Sequence, residues 1–103
     1  MKSIGVFLSS LTPKLNLDND LDIFAGFISE SKLKLVYGGG KRGLMGKLSE
    51  KVSKKNGRIK GITLPMFDNE EIKPNYLDEE EVQTNFYLRK KSLIDQSDFF
   101  VVM

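Results

Sequence analysis

The chain of 103 residues contains neither cysteine nor histidine. Without cysteine it has no disulfide, no thiolate nucleophile and no cysteine-based metal site. Without histidine it lacks the usual general base, a Ser-His-Asp triad and the commonest metal ligand. Any chemistry must therefore use carboxylates, lysine, arginine, tyrosine or backbone amides, and we expect no metal site. The lack of cysteine is compatible with the cytoplasm, where we expect this chain to reside.

Long apolar runs and a strong net charge are also missing. No stretch approaches the roughly 18 apolar residues of a membrane helix, and the N-terminus lacks the apolar region of a signal peptide. The net charge of +2 is too small to indicate a nucleic-acid partner. An apolar fraction of 40% and a charged fraction of 29% are typical of a globular domain. We therefore expect residues 1–103 to form one domain that binds neither nucleic acid nor membrane.

The apolar pattern predicts strands and helices in alternation. Strands are predicted over residues 3–8, 33–37, 58–64 and 98–103, and helices over residues 18–31, 44–56 and 83–96. Residues 66–82 hold Pro74 and many acidic side chains, and they are predicted to form a long loop. This order predicts an α/β fold with a Rossmann-like parallel sheet of about four strands and flanking helices.

A glycine-rich turn, VYGGGKRGLMGK at residues 36–47, joins the second predicted strand to the second predicted helix. Glycine permits positive φ and close approach to the backbone, and a helix N-terminus offers unpaired N–H groups to an anion. A tight turn alone needs one glycine, so the number of glycines favours a phosphate held close to the backbone. Lys41 and Arg42 either add charge to that phosphate or point into water. The glycines are Gly38, Gly39, Gly40, Gly43 and Gly46.

Two named phosphate-binding loops do not match this turn. The spacing Gly38-x-Gly40-x-x-Gly43 has the letters of the dinucleotide fingerprint, but it follows the second strand and has no acidic residue about 20 positions on. The Walker A pattern fails because Leu48 stands where serine or threonine is required. The sequence therefore predicts neither a dinucleotide nor ATP hydrolysis, and we expect no cofactor.

The segment from Val36 to Gly46 closely resembles the first signature of the LONELY GUY family. These proteins are cytokinin riboside 5′-monophosphate phosphoribohydrolases, often called lysine decarboxylase-like. The resemblance extends in order through residues 6–10, 61–65, 86–90 and 98–103. In the family, the segment at 86–90 reads Met-His-x-Arg-Lys, where this chain has Phe-Tyr-Leu-Arg-Lys.

This resemblance implies a nucleotide-binding Rossmann-like fold, usually a homodimer. It implies hydrolysis of the N-glycosidic bond of AMP or cytokinin nucleotides to a free base and ribose 5-phosphate. Arg89 matches the catalytic arginine of the LONELY GUY family. Without the surrounding motif we would interpret it as an ordinary exposed arginine on a helix. The residues that the resemblance places at the substrate are Ser10, Gly38, Gly39, Gly40, Gly43, Met45, Gly46, Arg89 and Lys90.

The sequence also departs from the family pattern. The second signature, Pro-Gly-Gly-x-Gly-Thr-x-x-Glu, carries the catalytic glutamate, and residues 98–103 end before it would begin. Tyr87 replaces the histidine, and Ser9 replaces a glycine. We therefore expect impaired hydrolysis, with a non-catalytic nucleotide-binding or phosphate-binding module, as in related molybdenum-cofactor carriers, or a degenerate fragment as alternatives. The carboxylates of residues 66–82 are expected to be solvated rather than to replace the glutamate.

The last predicted strand has an apolar sequence with consequences for association. By family order it lies beside the first strand, so that residues 99–102 form an uncovered apolar edge. We expect the chain to self-associate as a homodimer or larger assembly, or to belong to a longer protein.

Overall fold

The computed structural model describes residues 2–7, 17–40, 43–65 and 75–102. The strands in this part of the chain form one parallel sheet with the order β4-β3-β2-β1-β5. The predicted α/β, Rossmann-like architecture is therefore confirmed. The elements are β1 (Ser3–Phe7), α1 (Asp18–Glu30), β2 (Lys34–Tyr37), α2 (Gly43–Lys54), β3 (Arg58–Thr63), β4 (Glu79–Val82), α3 (Phe86–Asp95) and β5 (Phe99–Val102).

Helices α1 and α2 cover one face of the sheet. Each places apolar residues three or four positions apart, which brings them onto one side of the helix. They pack against alternate residues of β1, β2 and β3 to form the main core. No helix within the described ranges is long and apolar enough to cross a membrane. The buried core residues are Leu21, Ala25 and Ile28 of α1, Leu44, Leu48 and Val52 of α2, Ile4, Val6, Leu35, Tyr37 and Ile59 of the strands, and Leu33 just before β2.

Helix α3 lies on the opposite face. Successive strand residues point to opposite sides of a sheet, so Val36 and Ile62 face away from α1 and α2. Both pack against the buried Leu93 of α3, with Phe7 at the border of this smaller cluster. The α3 side chains that approach the sheet are thereby placed near the carboxyl ends of β1, β2 and β3.

Both helices of the main core end in the same way. Lys32 and Asn56 have positive φ values of 56° and 62°, just beyond the ends of α1 and α2. The amide of Leu33 then donates to the Ile28 carbonyl at 3.1 Å, and the amide of Gly57 donates to the Val52 carbonyl at 2.9 Å. This is the Schellman arrangement, in which a left-handed residue lets later amides satisfy the last helical carbonyls.

The structure corrects the predicted loop at residues 66–82 and the predicted strand number. Glu79–Val82 forms β4, so the described residues give five strands instead of about four. Charge pairing stabilises this acidic strand: Glu79 lies 3.4 Å from the ammonium of Lys34, and Glu81 lies 3.5 Å from that of Lys60. Residues 66–74 of the predicted loop lie outside the described ranges.

Two aspartates secure the edge strands by the same device. The Asp78 amide donates to the Ile59 carbonyl at 2.9 Å, and its carboxylate accepts from the Ile59 amide at 2.8 Å. Asp98 makes the same reciprocal pair with Ser3, at 2.9 and 2.7 Å. Each aspartate therefore fixes the register of the following strand, β4 beside β3 and β5 beside β1.

Strand β5 is an edge of the described sheet, beside β1 as predicted. Its Phe99, Phe100 and Val102 are 50%, 39% and 72% exposed. The Phe100 ring meets the Phe7 ring edge-on with centroids 4.8 Å apart. The predicted uncovered apolar edge is therefore confirmed for these residues.

Candidate functional site

The glycine turn lies at the carboxyl end of β2, where ligands of parallel α/β sheets bind. Gly38, Gly39 and Gly40 are buried and follow directly on Tyr37. Gly43, with a φ of 62°, begins α2, and Gly46 is buried within the helix. The strand-turn-helix placement predicted for the five glycines is present. Ser10, Lys41 and Arg42, also predicted at or near this site, lie outside the described residues.

The space beside the turn glycines is occupied by the protein's own side chains. A Cβ added to Gly38 would coincide with the Arg89 guanidinium, and one added to Gly40 would lie 2.6 Å from the sulfur of Met45. Gly39 has a φ of 78°, and a Cβ there would meet the methyl group of Thr63. The missing side chains at Gly38 and Gly40 thus leave room for Arg89 and Met45, and the positive φ of Gly39 favours glycine there, whatever the turn binds.

Arg89 crosses from α3 to the ends of two strands. Its Nε donates to the Ile62 carbonyl at 2.8 Å, and its Nη2 donates to the Gly38 carbonyl at 2.7 Å. Burial lowers the pKa of the half-buried guanidinium. Arginine stays charged in proteins, so these are charge-assisted hydrogen bonds. The predicted catalytic residue therefore joins α3, β2 and β3 at the glycine turn.

The start of α3 positions Arg89 within the first helical turn. The Asn85 side-chain oxygen accepts a hydrogen bond from the Leu88 amide at 2.9 Å, which is an N-terminal cap. The Arg89 amide donates to the Asn85 carbonyl at 3.1 Å. Since the cap sets where the helix begins, it also sets the direction in which the Arg89 side chain leaves it.

Farther along α3, a polar cluster attaches the helix to β4. The Glu81 carboxylate accepts hydrogen bonds from Ser92, from Gln83 at 2.8 Å and from Gln96 at 2.8 Å. Partial burial opposes ionisation of Glu81, but these hydrogen bonds and the charge of Lys60 outweigh it and lower the pKa to about 2. Glu81 is therefore an ionised anchor for α3.

A cavity of about 190 Å³ opens between α3 and the carboxyl ends of β1 and β2. It brings together four residues predicted for the site, Gly38, Met45, Arg89 and Lys90. The Lys90 ammonium also lies 5.8 Å from the centroid of the Phe7 ring. Of the other predicted glycines, none lines this cavity. The complete lining is Val6, Phe7, Gly38, Met45, Phe86, Arg89, Lys90 and Leu93.

Sequence reasoning missed the apolar wall of this cavity. Val6, Phe7, Phe86 and Leu93 come from β1 and α3, and their apolar character alone predicts packing rather than ligand contact. Phe86 was detectable only as part of the segment that resembles Met-His-x-Arg-Lys. The combined wall is apolar with two cations, and no carboxylate occurs among the described residues that line it.

Among the residues that the structure describes, no acidic side chain of the predicted loop lines this cavity, and Glu70 and Glu71 lie outside the described ranges. Glu79 and Glu81 pair with lysines of the sheet, and Glu81 also contacts α3. No group of three metal-ligating side chains occurs among the residues that the structure describes. A larger groove of about 410 Å³ between α1 and α2 is lined by charged residues that form surface ion pairs, including Lys47 with Asp18 at 3.2 Å. Such exposed pairs contribute little to stability and do not define a site.

The chain is therefore an α/β protein of Rossmann-like architecture, and a partly apolar cavity lined by two cations lies beside its glycine turn. No protein-family model and no curated protein matches the chain. The LONELY GUY resemblance therefore stays a prediction.

Solved structures do match the fold. The structural-genomics target TM1055 has 21% sequence identity and a TM-score of 0.76, with coverage of 100% of this chain and 61% of that chain. The molybdenum cofactor binding protein of the phototrophic bacterium Rippkaea orientalis has 22% identity and a TM-score of 0.78, covering 99% and 62%. The molybdenum cofactor carrier protein of Chlamydomonas reinhardtii has 18% identity and a TM-score of 0.75, covering 99% and 62%. The chain thus spans about three fifths of the length of these structures and shares their fold.

Proposed function

We propose that this chain binds a small anionic ligand of the nucleoside 5′-monophosphate class in the cavity between α3 and the glycine turn. The observation that carries the proposal is the pairing of two cations, Arg89 and Lys90, with an apolar wall and no carboxylate among its described lining residues. An anion is favoured electrostatically beside the cations, and a planar base is favoured by the apolar wall.

The cavity accommodates only part of such a ligand. Its volume of about 190 Å³ is below the roughly 300–1,000 Å³ of typical ligand pockets. The mouth is flanked by the exposed ring of Phe86 and by Lys90. We infer that one end of the ligand enters the cavity and that the remainder lies along the glycine turn.

Lys90 and Arg89 take different parts in this proposal. Arg89 is engaged with the carbonyls of Ile62 and Gly38, so a large share of its hydrogen bonding maintains the turn. Lys90 makes no ion pair with any residue that the structure describes, and its long side chain is exposed at the cavity. Lys90 is therefore the cation that pairs with the ligand phosphate.

A Lys90→Gln variant is expected to bind AMP about 5–30-fold more weakly than the parent chain, because a charge-assisted contact to phosphate is lost. Isothermal titration calorimetry with AMP measures this change. Lys91→Gln is the matched control, since Lys91 pairs with Asp95 at 3.0 Å and does not line the cavity. Equal AMP affinity in the parent chain and in Lys90→Gln, or no AMP binding by the parent chain, would overturn the proposal.

Hydrolysis of the bound nucleotide is the second candidate function. It is favoured by the assembly of Gly38, Met45, Arg89 and Lys90, which the LONELY GUY resemblance places at the substrate, around one cavity. The glycosidic bond of AMP would be cleaved to adenine and ribose 5-phosphate. Chromatography of the titration samples separates the two functions: adenine release that disappears in Arg89→Gln supports hydrolysis, and intact AMP supports binding alone.

The two similar structures named for binding or carrying the molybdenum cofactor agree with a binding role.

We also propose that the apolar edge at β5 mediates self-association. Its exposed Phe99, Phe100 and Val102 carry no charge, whereas the opposite edge, β4, consists mainly of glutamates, two of which pair with lysines of the sheet. Sedimentation velocity is expected to show a concentration-dependent increase in average mass, which Phe100→Lys weakens at least about tenfold. Ile23→Lys on α1 is the control, since Ile23 is also an exposed apolar residue but lies on another element. A monomer at every concentration would contradict this proposal.

A further inference from the structure

The ring of Phe7 is held from two sides on the wall of the cavity. Phe7 is half-buried at the end of β1 and packs against the small cluster of Val36, Ile62 and Leu93. The Phe100 ring of β5 meets it at an interplanar angle of 75°, with the two centroids 4.8 Å apart. The Phe7 ring is therefore fixed by its own protein while it lines the cavity.

The position of the Phe100 ring depends on Gly5 of β1. The two residues are register partners in neighbouring parallel strands. A Cβ added to Gly5 would lie 3.0 Å from a carbon of the Phe100 ring, which is tighter than ordinary van der Waals contact. The missing side chain thus lets the ring lie close to β1. Because strand residues alternate between faces, Gly5 and Phe7 lie on the same side of β1, and the Phe100 ring reaches from one to the other.

The ammonium of Lys90 lies over the face of the Phe7 ring. Its distance to the ring centroid is 5.8 Å, and both residues line the cavity. The Lys90 side chain is exposed, and a cation–π contact at an exposed site is weak. When the ammonium turns to the phosphate of a ligand, the face of the Phe7 ring becomes available to a second planar group.

Phe86 is the other aromatic residue among the described residues that line the cavity. Its side chain is 60% exposed at the mouth, so its ring must be ordered when it contacts a ligand. The Phe7 ring is already held by packing, and a group that is organised beforehand loses less conformational freedom on binding. Phe7 is therefore the better surface for a planar base.

We propose that Phe7 is the stacking surface for the base of the bound nucleotide, and that Phe100 is a positioning residue that holds the Phe7 ring for this contact. The inference rests on the proposed binding of a nucleoside monophosphate. It orients the ligand, with the base inside the cavity against Phe7 and the phosphate at the mouth with Lys90. Because every base has a π face, stacking on Phe7 distinguishes nucleotides from sugar phosphates rather than one base from another.

The test compares AMP with ribose 5-phosphate, which keeps the phosphate but lacks the base, in calorimetric titrations. The parent chain is expected to bind AMP at least about tenfold more tightly than ribose 5-phosphate. Phe7→Leu is expected to weaken AMP binding about tenfold and to leave ribose 5-phosphate binding unchanged, because only the base contacts the ring. Phe7→Tyr keeps the ring and is expected to restore the preference for AMP.

Phe100 is tested through its effect on Phe7. Phe100→Leu is expected to weaken AMP binding about threefold in the parent chain but to have no further effect in Phe7→Leu, because it acts through the Phe7 ring. Leucine keeps the position apolar and adds no charge to the β5 edge. Phe99→Leu is the matched control: Phe99 is the neighbouring residue on β5, its ring lies 5.7 Å from the ammonium of Lys2, and it does not line the cavity.

A spectroscopic measurement on the parent chain needs no substitution. The ring current of adenine is expected to shift the NMR signals of the Phe7 ring when AMP is added, whereas ribose 5-phosphate leaves them nearly unchanged. The signals of the Phe99 ring are expected to stay in place with both ligands. This measurement decides the stacking role if Phe7→Leu does not fold.

The outcomes separate this inference from the proposed function. Unchanged AMP binding in Phe7→Leu, equal weakening of both ligands, or equal affinity of the parent chain for both overturns the stacking role and leaves nucleotide binding in place. A threefold loss from Phe100→Leu that persists in Phe7→Leu overturns the positioning role. A parent chain that binds no AMP overturns the proposed function and this inference with it.

Discussion

A Gly38→Ala variant is expected to lose about 2–4 kcal/mol of unfolding free energy, because the new methyl group would occupy the position of the Arg89 guanidinium. Arg89 would have to withdraw and give up its hydrogen bonds to Gly38 and Ile62. The vacated carbonyls would then be left without these charged donors. For a chain of 103 residues, each kcal/mol lowers the melting temperature by roughly 4–8 °C, which circular dichroism measures readily.

Gly26→Ala is the matched control for Gly38→Ala. Gly26 lies in α1, and a Cβ there has no neighbouring atom within 4 Å. Alanine is the better helix former, so Gly26→Ala is expected to stabilise the protein by about 0.5–1 kcal/mol. A similar melting temperature for Gly38→Ala and the parent chain would show that the turn accommodates a side chain and that the Arg89 contact is dispensable.

A double-mutant cycle connects Gly38 to Arg89. Arg89→Gln removes the guanidinium, so adding Gly38→Ala to it is expected to cost much less than Gly38→Ala alone, with an interaction energy of about 1–3 kcal/mol. Gly38→Ala and Arg89→Gln are each also expected to weaken AMP binding, because each change shifts the glycine turn. Strict additivity of the two stability changes would mean that each residue acts through other contacts.

A Glu81→Gln variant is expected to lose about 1–3 kcal/mol of unfolding free energy near neutral pH, because the carboxylate is the shared acceptor of the cluster that attaches α3 to β4. The change also leaves Lys60 without its partner at 3.5 Å. Chemical denaturation measures the loss. Glu30→Gln is the control, since Glu30 is exposed at the end of α1 and is expected to change stability by less than about 0.5 kcal/mol.

The contribution of Glu81 to the free energy of unfolding is expected to decrease as the pH is lowered. The folded-state pKa of about 2 lies below the ordinary value of 4.5, so the unfolded chain takes up a proton first as the pH falls. The stability contributed by ionised Glu81 is therefore fully present above about pH 4.5 and is lost as the pH approaches 2. The difference between the parent chain and Glu81→Gln is expected to shrink over this interval. A difference that stays constant from neutral pH to pH 2 would exclude Glu81 as the source.

The regular elements follow from local pattern. The apolar residues at positions 21, 24, 27 and 28 are enough to identify α1, although Phe27 is exposed, and the apolar runs identify β1, β2, β3 and β5. Strand β4 shows why the rest was not predictable. Its sequence Glu-Glu-Glu-Val has no strand signal of its own, and the strand is stabilised by Lys60 of the adjacent β3 and Lys34 of β2, which pair with Glu81 and Glu79. Partners that far away in sequence leave no mark on the segment itself.

Some features of the candidate site were likewise predictable from the sequence, and others were not. The glycine turn and the segment with Arg89 and Lys90 were recognisable as motifs, because their residue types follow one another in the chain. The contact between Arg89 and Gly38 spans 51 residues, and no local pattern indicates that the guanidinium fills the space that glycine leaves. The apolar wall of the cavity was missed for the same reason.

The amino-acid sequence is sufficient to establish the α/β class, the alternation of strands and helices, the exclusion of histidine and cysteine chemistry, and the position of the turn between β2 and α2. These properties depend on composition and on periods of two to four residues. The contacts by which Arg89 braces the turn, Glu81 anchors α3 and Lys90 lines the cavity become visible in the folded chain alone. Those roles depend on which side chains the packed sheet and helices bring within hydrogen-bond distance, and that proximity is a property of the assembled fold.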